Sequence, residues 1–123
     1  MHLPSDPLPG RLTLLIVAVQ EMLAFNGVSE IILGRTSASN PERIEVDLSP
    51  YEAYQAGVSR QHARIDVHGS TVTVTDLASA NGTRLNGQAL HPHTACTLKN
   101  EDILTLGTLK IQIKFSAPAS GRE

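Results

Sequence analysis

The chain has 123 residues, 41% hydrophobic and 18% charged, with ten basic residues against twelve acidic ones and a net charge of −2. This length suits one domain with a usable core, and this balance excludes a disordered chain. Slight acidity argues against a nucleic-acid binder, and the lone Cys96 rules out an internal disulfide and points to a reducing, cytoplasmic setting.

Residues 1–10, MHLPSDPLPG, are proline-rich and predict a flexible tail; SAPASGRE, 116–123, predicts another. Between them lies a body, 11–115, with no internal repeat. It opens on the most apolar run, LTLLIVAV, residues 12–19, which is far too short to cross a bilayer. Prolines and an aspartate precede it where a signal peptide carries positive charge, and Gln20–Glu21 follow, so neither export nor membrane anchoring is expected. The run reads as a strand, covered on both faces beyond Leu14.

IILGR, 31–35, reads as a strand ending in Gly34–Arg35. In IEVDL, 44–48, Ile44, Val46 and Leu48 oppose Glu45 and Asp47. SPYEAYQAG, 49–57, predicts one or two helical turns: Ser49 as N-cap, Pro50 first, Glu52 completing a capping box, Gly57 closing, and Tyr51 or Tyr54 packing it down. In ARIDVH, 63–68, Ala63, Ile65 and Val67 oppose Arg64, Asp66 and His68. In TVTVTD, 71–76, Val72 and Val74 oppose three threonines; in LKIQIKF, 109–115, Leu109, Ile111, Ile113 and Phe115 oppose Lys110, Gln112 and Lys114. Each is a period-2 strand with one buried and one wet face. Turn signals at Asn26–Gly27, Gly69–Ser70, Asn81–Gly82, Asn86–Gly87 and Gly107–Thr108 separate them. Many short strands so spaced predict an all-β antiparallel sandwich or barrel.

Three chemistries compete in GVSRQHARI, 57–65, and its surroundings. Ser59 and His62 could be called nucleophile and base, but residues three apart on a strand face opposite ways and no G-x-S-x-G elbow exists. His62 reads better as a brace for a loop. His91, His93 and Cys96 fall short of a zinc-ligand pattern and read as a polar turn; no P-loop or G-x-G-x-x-G is present, and no metal or cofactor is expected. Anion binding fares best. Arg35 at a strand end, Ser59–Arg60 at a strand start and SANGT, 79–83, would converge if they share one end of a sandwich.

The series LGR, VSRQHARI, VTDLASANGTRLNG and DILTLG, spanning about residues 12–115 in its setting, resembles the forkhead-associated (FHA) domain family. The resemblance implies an FHA/SMAD-like antiparallel sandwich of about eleven strands with ligand loops at one end. It implies a phosphothreonine-dependent interaction module, not an enzyme, whose partner is a phosphothreonine-containing protein marked by an upstream Ser/Thr kinase. Carried over by position, Arg35, Ser59 and Arg60 hold the phosphate, and Asn81, with Ala80 beside it, meets the peptide backbone. Gly34, His62, Gly82, Thr83, Asn86 and Gly87 shape the loops, and Arg64 is an outward strand residue. Ala80 stands where the family commonly has threonine or serine, so one hydroxyl is lost near the ligand. A phosphate-independent docking scaffold of the same fold is the alternative.

Overall fold

The computed structural model describes residues 11–35 and 44–115; the two expected tails lie outside the described residues. Among the described residues eleven strands form two sheets that face each other. In chain order they are β1 (Arg11–Ile16), β2 (Glu21–Asn26), β3 (Glu30–Gly34), β4 (Ile44–Asp47), β5 (Ala63–His68), β6 (Thr71–Asp76), β7 (Thr83–Leu85), β8 (Gln88–Ala89), β9 (Cys96–Leu98), β10 (Ile103–Leu106) and β11 (Leu109–Phe115). One sheet has the order β2-β1-β11-β10-β7-β8 and the other β4-β3-β5-β6-β9.

The alternation seen in the sequence becomes register. Leu12, Leu14 and Ile16 of β1 stand opposite Phe115, Ile113 and Ile111 of β11. In the second sheet Ile31 pairs with Ile65, and Ile65 with Val74. These side chains are buried together in one core between the sheets. A one-residue slip in any strand would turn its apolar set outward, so burial specifies the pairing. On the outer face Arg64 Nε donates to Asp66 Oδ2 at 2.8 Å and lies 3.7 Å from Glu30 Oε2.

Three details depart from the sequence reading. The apolar run of β1 stops at Ile16: Val17–Gln20 form a turn in which the Val19 and Gln20 N–H groups donate to the Ile16 carbonyl. Among the described strands the pairs are antiparallel except for β3 and β4, which run parallel with Leu33 opposite Val46; alternation shows which face is buried and carries no direction. The helical insert is a single 3-10 turn, Ser49–Tyr51. Ser49 makes no cap bond to the turn; its Oγ donates instead to the Arg35 carbonyl at 2.9 Å. Glu52 sits at φ +59°, in the left-handed region, which ends the helix where a capping box would have extended it. Turns continue to Gly57 and carry Ala53 into the core.

Candidate functional site

Strand pairing gathers four loops at one end of the sandwich. Leu33 near the end of β3 lies opposite Ala63 at the start of β5, which lies opposite Asp76 at the end of β6. In the facing sheet Thr83 at the start of β7 lies opposite Leu106 at the end of β10, itself paired with Leu109 across the next turn. Arg35, the segment from Ser49 to His62, the segment from Leu77 to Gly82, and Gly107–Thr108 therefore meet.

Gly34 sets the first contact. A Cβ there would overlap the Arg60 carbonyl oxygen, so only glycine lets the two loops close this far. The closure allows the Arg35 N–H to donate to both the Ser59 and Arg60 carbonyls, at 3.2 and 3.1 Å. The Arg35 side chain turns into the same corner: Nε donates to the Val58 carbonyl, and the guanidinium lies 5.1 Å from the centre of the Tyr54 ring. Tyr54 is 73% exposed, so this cation–π contact forms a wall of an open cavity rather than a buried pair.

Ser59 is held at three points. Its N–H donates to His62 Nδ1 at 2.9 Å, its carbonyl accepts from Arg35, and its Oγ accepts from the Ala80 N–H at 2.9 Å. The hydroxyl hydrogen alone is left to donate. Across the cavity Asn81 Nδ2 donates to the Gly57 carbonyl at 2.9 Å. Gly57 is at φ +84°, and a Cβ there would come within 2.6 Å of Asn81 Nδ2, so glycine serves this position twice over. Arg35, Ser59, Ala80 and Asn81, with Tyr54, Gly57 and Val58, line one cavity of about 190 Å³.

A buried network braces these loops. His62 is fully buried, and both ring nitrogens meet backbone: Nδ1 accepts from Ser59, so Nε2 carries the hydrogen and donates to the Gly82 carbonyl at 2.9 Å. Burial holds its pKa below the usual histidine value, against the opposing pull of the Gly82 hydrogen bond and the Asp76 carboxylate. Asp76, 2% exposed, accepts from the hydroxyls of Ser79 and Thr83, both at 2.6 Å, and from the Ser79 N–H. Burial alone would raise its pKa; these hydrogen bonds, with a smaller contribution from His62, outweigh burial and hold it low. Ser79 Oγ in turn accepts from the Gly82 N–H at 3.0 Å, and the Gly82 carbonyl also accepts from Gly107. Asp76–Thr83 and His62–Gly82 thus tie one sheet to the other beneath the cavity. Further along, Asn86 opens the β7–β8 turn with Gly87 and brackets Ile103, donating its N–H to the Ile103 carbonyl and accepting the Ile103 N–H on Oδ1.

Of the residues singled out in the sequence, Arg35, Ser59, Ala80 and Asn81 are brought to the cavity and Arg60 is not. The Arg60 side chain is exposed outside it, and the residue contributes its carbonyl to Arg35. Ala80 offers a methyl group, its N–H being spent on Ser59. Two residues at this end were not expected there: Tyr54, read in the sequence only as possible packing for the insert, a task that falls to Tyr51, and Arg84, which lines an adjoining cleft. Arg84 had one available signal, its place between inward Thr83 and half-buried Leu85 on a strand.

The geometry also bears on the rival chemistries. His62 faces the Ser59 backbone, not its hydroxyl, and has no free nitrogen to act as a base. His91 and His93 are exposed, and among the described residues no group of three or more His, Cys, Asp or Glu side chains is placed to hold a metal ion. Among the described residues no helix is long and apolar enough to cross a membrane. A cavity between Leu12, Val67, Val72 and Phe115 measures about 30 Å³, room for about one water.

Comparison with known proteins agrees with this fold. The family model for the FHA domain matches residues 31–107. A solution structure of the FHA domain of a hypothetical protein from Arabidopsis thaliana is 31% identical, covers 96% of this chain and 97% of its own, and superposes with a TM-score of 0.68. An FHA domain-containing protein of Arabidopsis thaliana is 42% identical over 52 residues; the match covers 42% of this chain and 14% of that relative's length. A structure from a structural and functional analysis of phosphothreonine-dependent FHA domain interactions, 22% identical, covers 88% of this chain and 99% of its own with a TM-score of 0.66, a likeness of fold.

Proposed function

The chain belongs to the FHA family, and on that footing we propose that it reads phosphothreonine in a partner protein through the loop-end cavity. The observation that carries this reading is the state of Ser59. Three bonds immobilise it, and its remaining hydrogen stands in the same cavity as the Arg35 guanidinium. Arg35 spends Nε on Val58, which leaves its two Nη groups as the forward donors. A planar pair of charged donors beside a neutral hydroxyl donor suits a tetrahedral dianion.

The partner's phosphate carries about −1.5 to −2 charges and three acceptor oxygens at neutral pH, where the bare hydroxyl carries none. Each charge-assisted hydrogen bond contributes about 1.5–3 kcal/mol, so losing two weakens binding by about two to four orders of magnitude. The donors are already in place before the ligand arrives, which lowers the ordering cost of binding. With Asn81 Nδ2 held by the Gly57 carbonyl, its Oδ1 serves as an acceptor for a peptide N–H beside the phosphothreonine. Arg60 acts from outside the cavity as a long-range positive charge. A Ser/Thr kinase acting on the partner and a cytoplasmic setting belong to the same reading.

The test is a pair of titrations with one fluorescent peptide, phosphorylated and unphosphorylated on threonine. Binding that needs the phosphate and falls as salt rises is the expected result. Equal binding of both peptides would overturn the reading in favour of phosphate-independent docking on the same scaffold.

A further inference from the structure

A second cleft of about 350 Å³ adjoins the first. The two share Gly57 and Asn81, whose mutual hydrogen bond forms the ridge between them. Beyond the ridge the walls are polar: Gln55 from one loop, Arg84 from β7 and Thr108 from the β10–β11 turn. The floor is fixed, because the Gly107 N–H donates to the Gly82 carbonyl and the Thr108 N–H to the Ala56 carbonyl.

Arg84 is the charged member of this lining. Its guanidinium makes one long bond, Nη1 to the Gly87 carbonyl at 3.4 Å, and among the described residues no carboxylate lies within ion-pair distance of it. An exposed cation is ordinary in itself. This one stands in a concave, polar-walled site, without a carboxylate partner among the described residues, next to the cavity assigned to phosphothreonine.

We propose that the second cleft is an anion subsite for the same peptide, and that Arg84 selects ligands carrying a second negative side chain, a carboxylate or a further phosphate, close to the phosphothreonine. The inference rests on the phosphothreonine reading of the first cavity. A peptide whose phosphate sits between Arg35 and Ser59 has to cross the Gly57–Asn81 ridge to reach the second cleft. An extended chain advances about 3.3 Å per residue, so the ridge is crossed within a few residues. Arg84 therefore determines sequence preference, while Arg35 and Ser59 determine dependence on phosphate.

A positional scan tests this. In a phosphothreonine peptide flanked by alanines, each of four positions on either side is changed in turn to glutamate, phosphoserine or lysine, and affinities are measured by fluorescence anisotropy. Glutamate should strengthen binding about three- to tenfold at one position, phosphoserine there by more, and lysine should weaken it. The glutamate-to-alanine ratio should collapse to about one in Arg84→Gln and invert in favour of lysine in Arg84→Glu, with thermal melts confirming that both variants are folded. A stronger response to phosphoserine than to glutamate identifies a second phosphate as the preferred anion. A flat profile, or an unchanged preference in both variants, overturns this subsite and leaves the phosphothreonine reading standing. Failure of every phosphothreonine peptide to bind overturns both.

Discussion

Acidification below pH 6.5 should destabilise this domain through one residue, His62. In the folded chain the ring is buried and neutral, with Nδ1 accepting from the Ser59 N–H and Nε2 donating to the Gly82 carbonyl. Burial lowers its pKa from the ordinary 6.5. Once unfolded, the ring takes up a proton through 6.5; folded, it resists until a lower pH. Between those values the unfolded state binds more protons, so stability falls as pH falls. At pH 5.5, one unit below the unfolded value, the unfolded ring is mostly protonated, so the domain should be measurably less stable than at pH 7.5. Protonation of Nδ1 would also set its new hydrogen against the Ser59 N–H and loosen the loop that presents the hydroxyl. The assay is urea unfolding at pH 7.5 and 5.5 of the wild type and His62→Gln, without ligand, since the ligand's phosphate titrates near the same range. The variant should be less stable at pH 7.5 by about 1–3 kcal/mol, and its deficit should shrink at pH 5.5. The other histidines are common to both proteins and cancel. An equal pH dependence in the two would refute the assignment of His62 as the buried neutral brace.

Other outcomes follow from the same network. Arg35→Ala should weaken phosphopeptide binding at least about 100-fold, from the loss of two charge-assisted bonds, and cost about 1 kcal/mol of stability from the bond to Val58; a loss under tenfold in an anisotropy titration would count against the site. Gly34→Ala should lower stability by about 1–3 kcal/mol in urea melts and abolish binding with it, because its Cβ has to displace the Arg60 carbonyl. Asp76→Asn should cost about 1.5–3 kcal/mol by weakening the bonds from Ser79 and Thr83. Because the Asp76 pKa is lowered from 3.8, its wild-type contribution is present above that value and disappears as pH falls below it. Ala80→Ser restores a hydroxyl at the cavity rim, and its affinity for phosphopeptide should rise by a few-fold, one neutral hydrogen bond being worth about 1 kcal/mol.

Period-2 alternation was enough to reveal β5, β6 and β11 and their buried faces, because a strand with one wet side writes its environment into every second residue. It did not reveal β2, an edge strand whose half-buried Leu23 and Phe25 sit among exposed residues, nor the parallel sense of β3 and β4. The local signals at Ser49 and Glu52 spelled a longer helix. Tertiary contacts took Ser49 Oγ for the Arg35 carbonyl and put Glu52 in the left-handed region, and a cap worth about 1 kcal/mol does not prevail against such demands. For the site, residue types and order pointed to Arg35, Ser59 and Arg60, and the family resemblance added Ala80 and Asn81, but only the closed sandwich showed which of them share a cavity, that Arg60 stands apart, and that Tyr54 and Arg84 belong at this end. The physical reason is range. Secondary structure is encoded by neighbours a few residues apart, whereas this cavity is assembled by hydrogen bonds between loops more than twenty residues distant, Arg35 to Val58, Ser59 to Ala80 and Gly57 to Asn81, that exist only once the two sheets have paired.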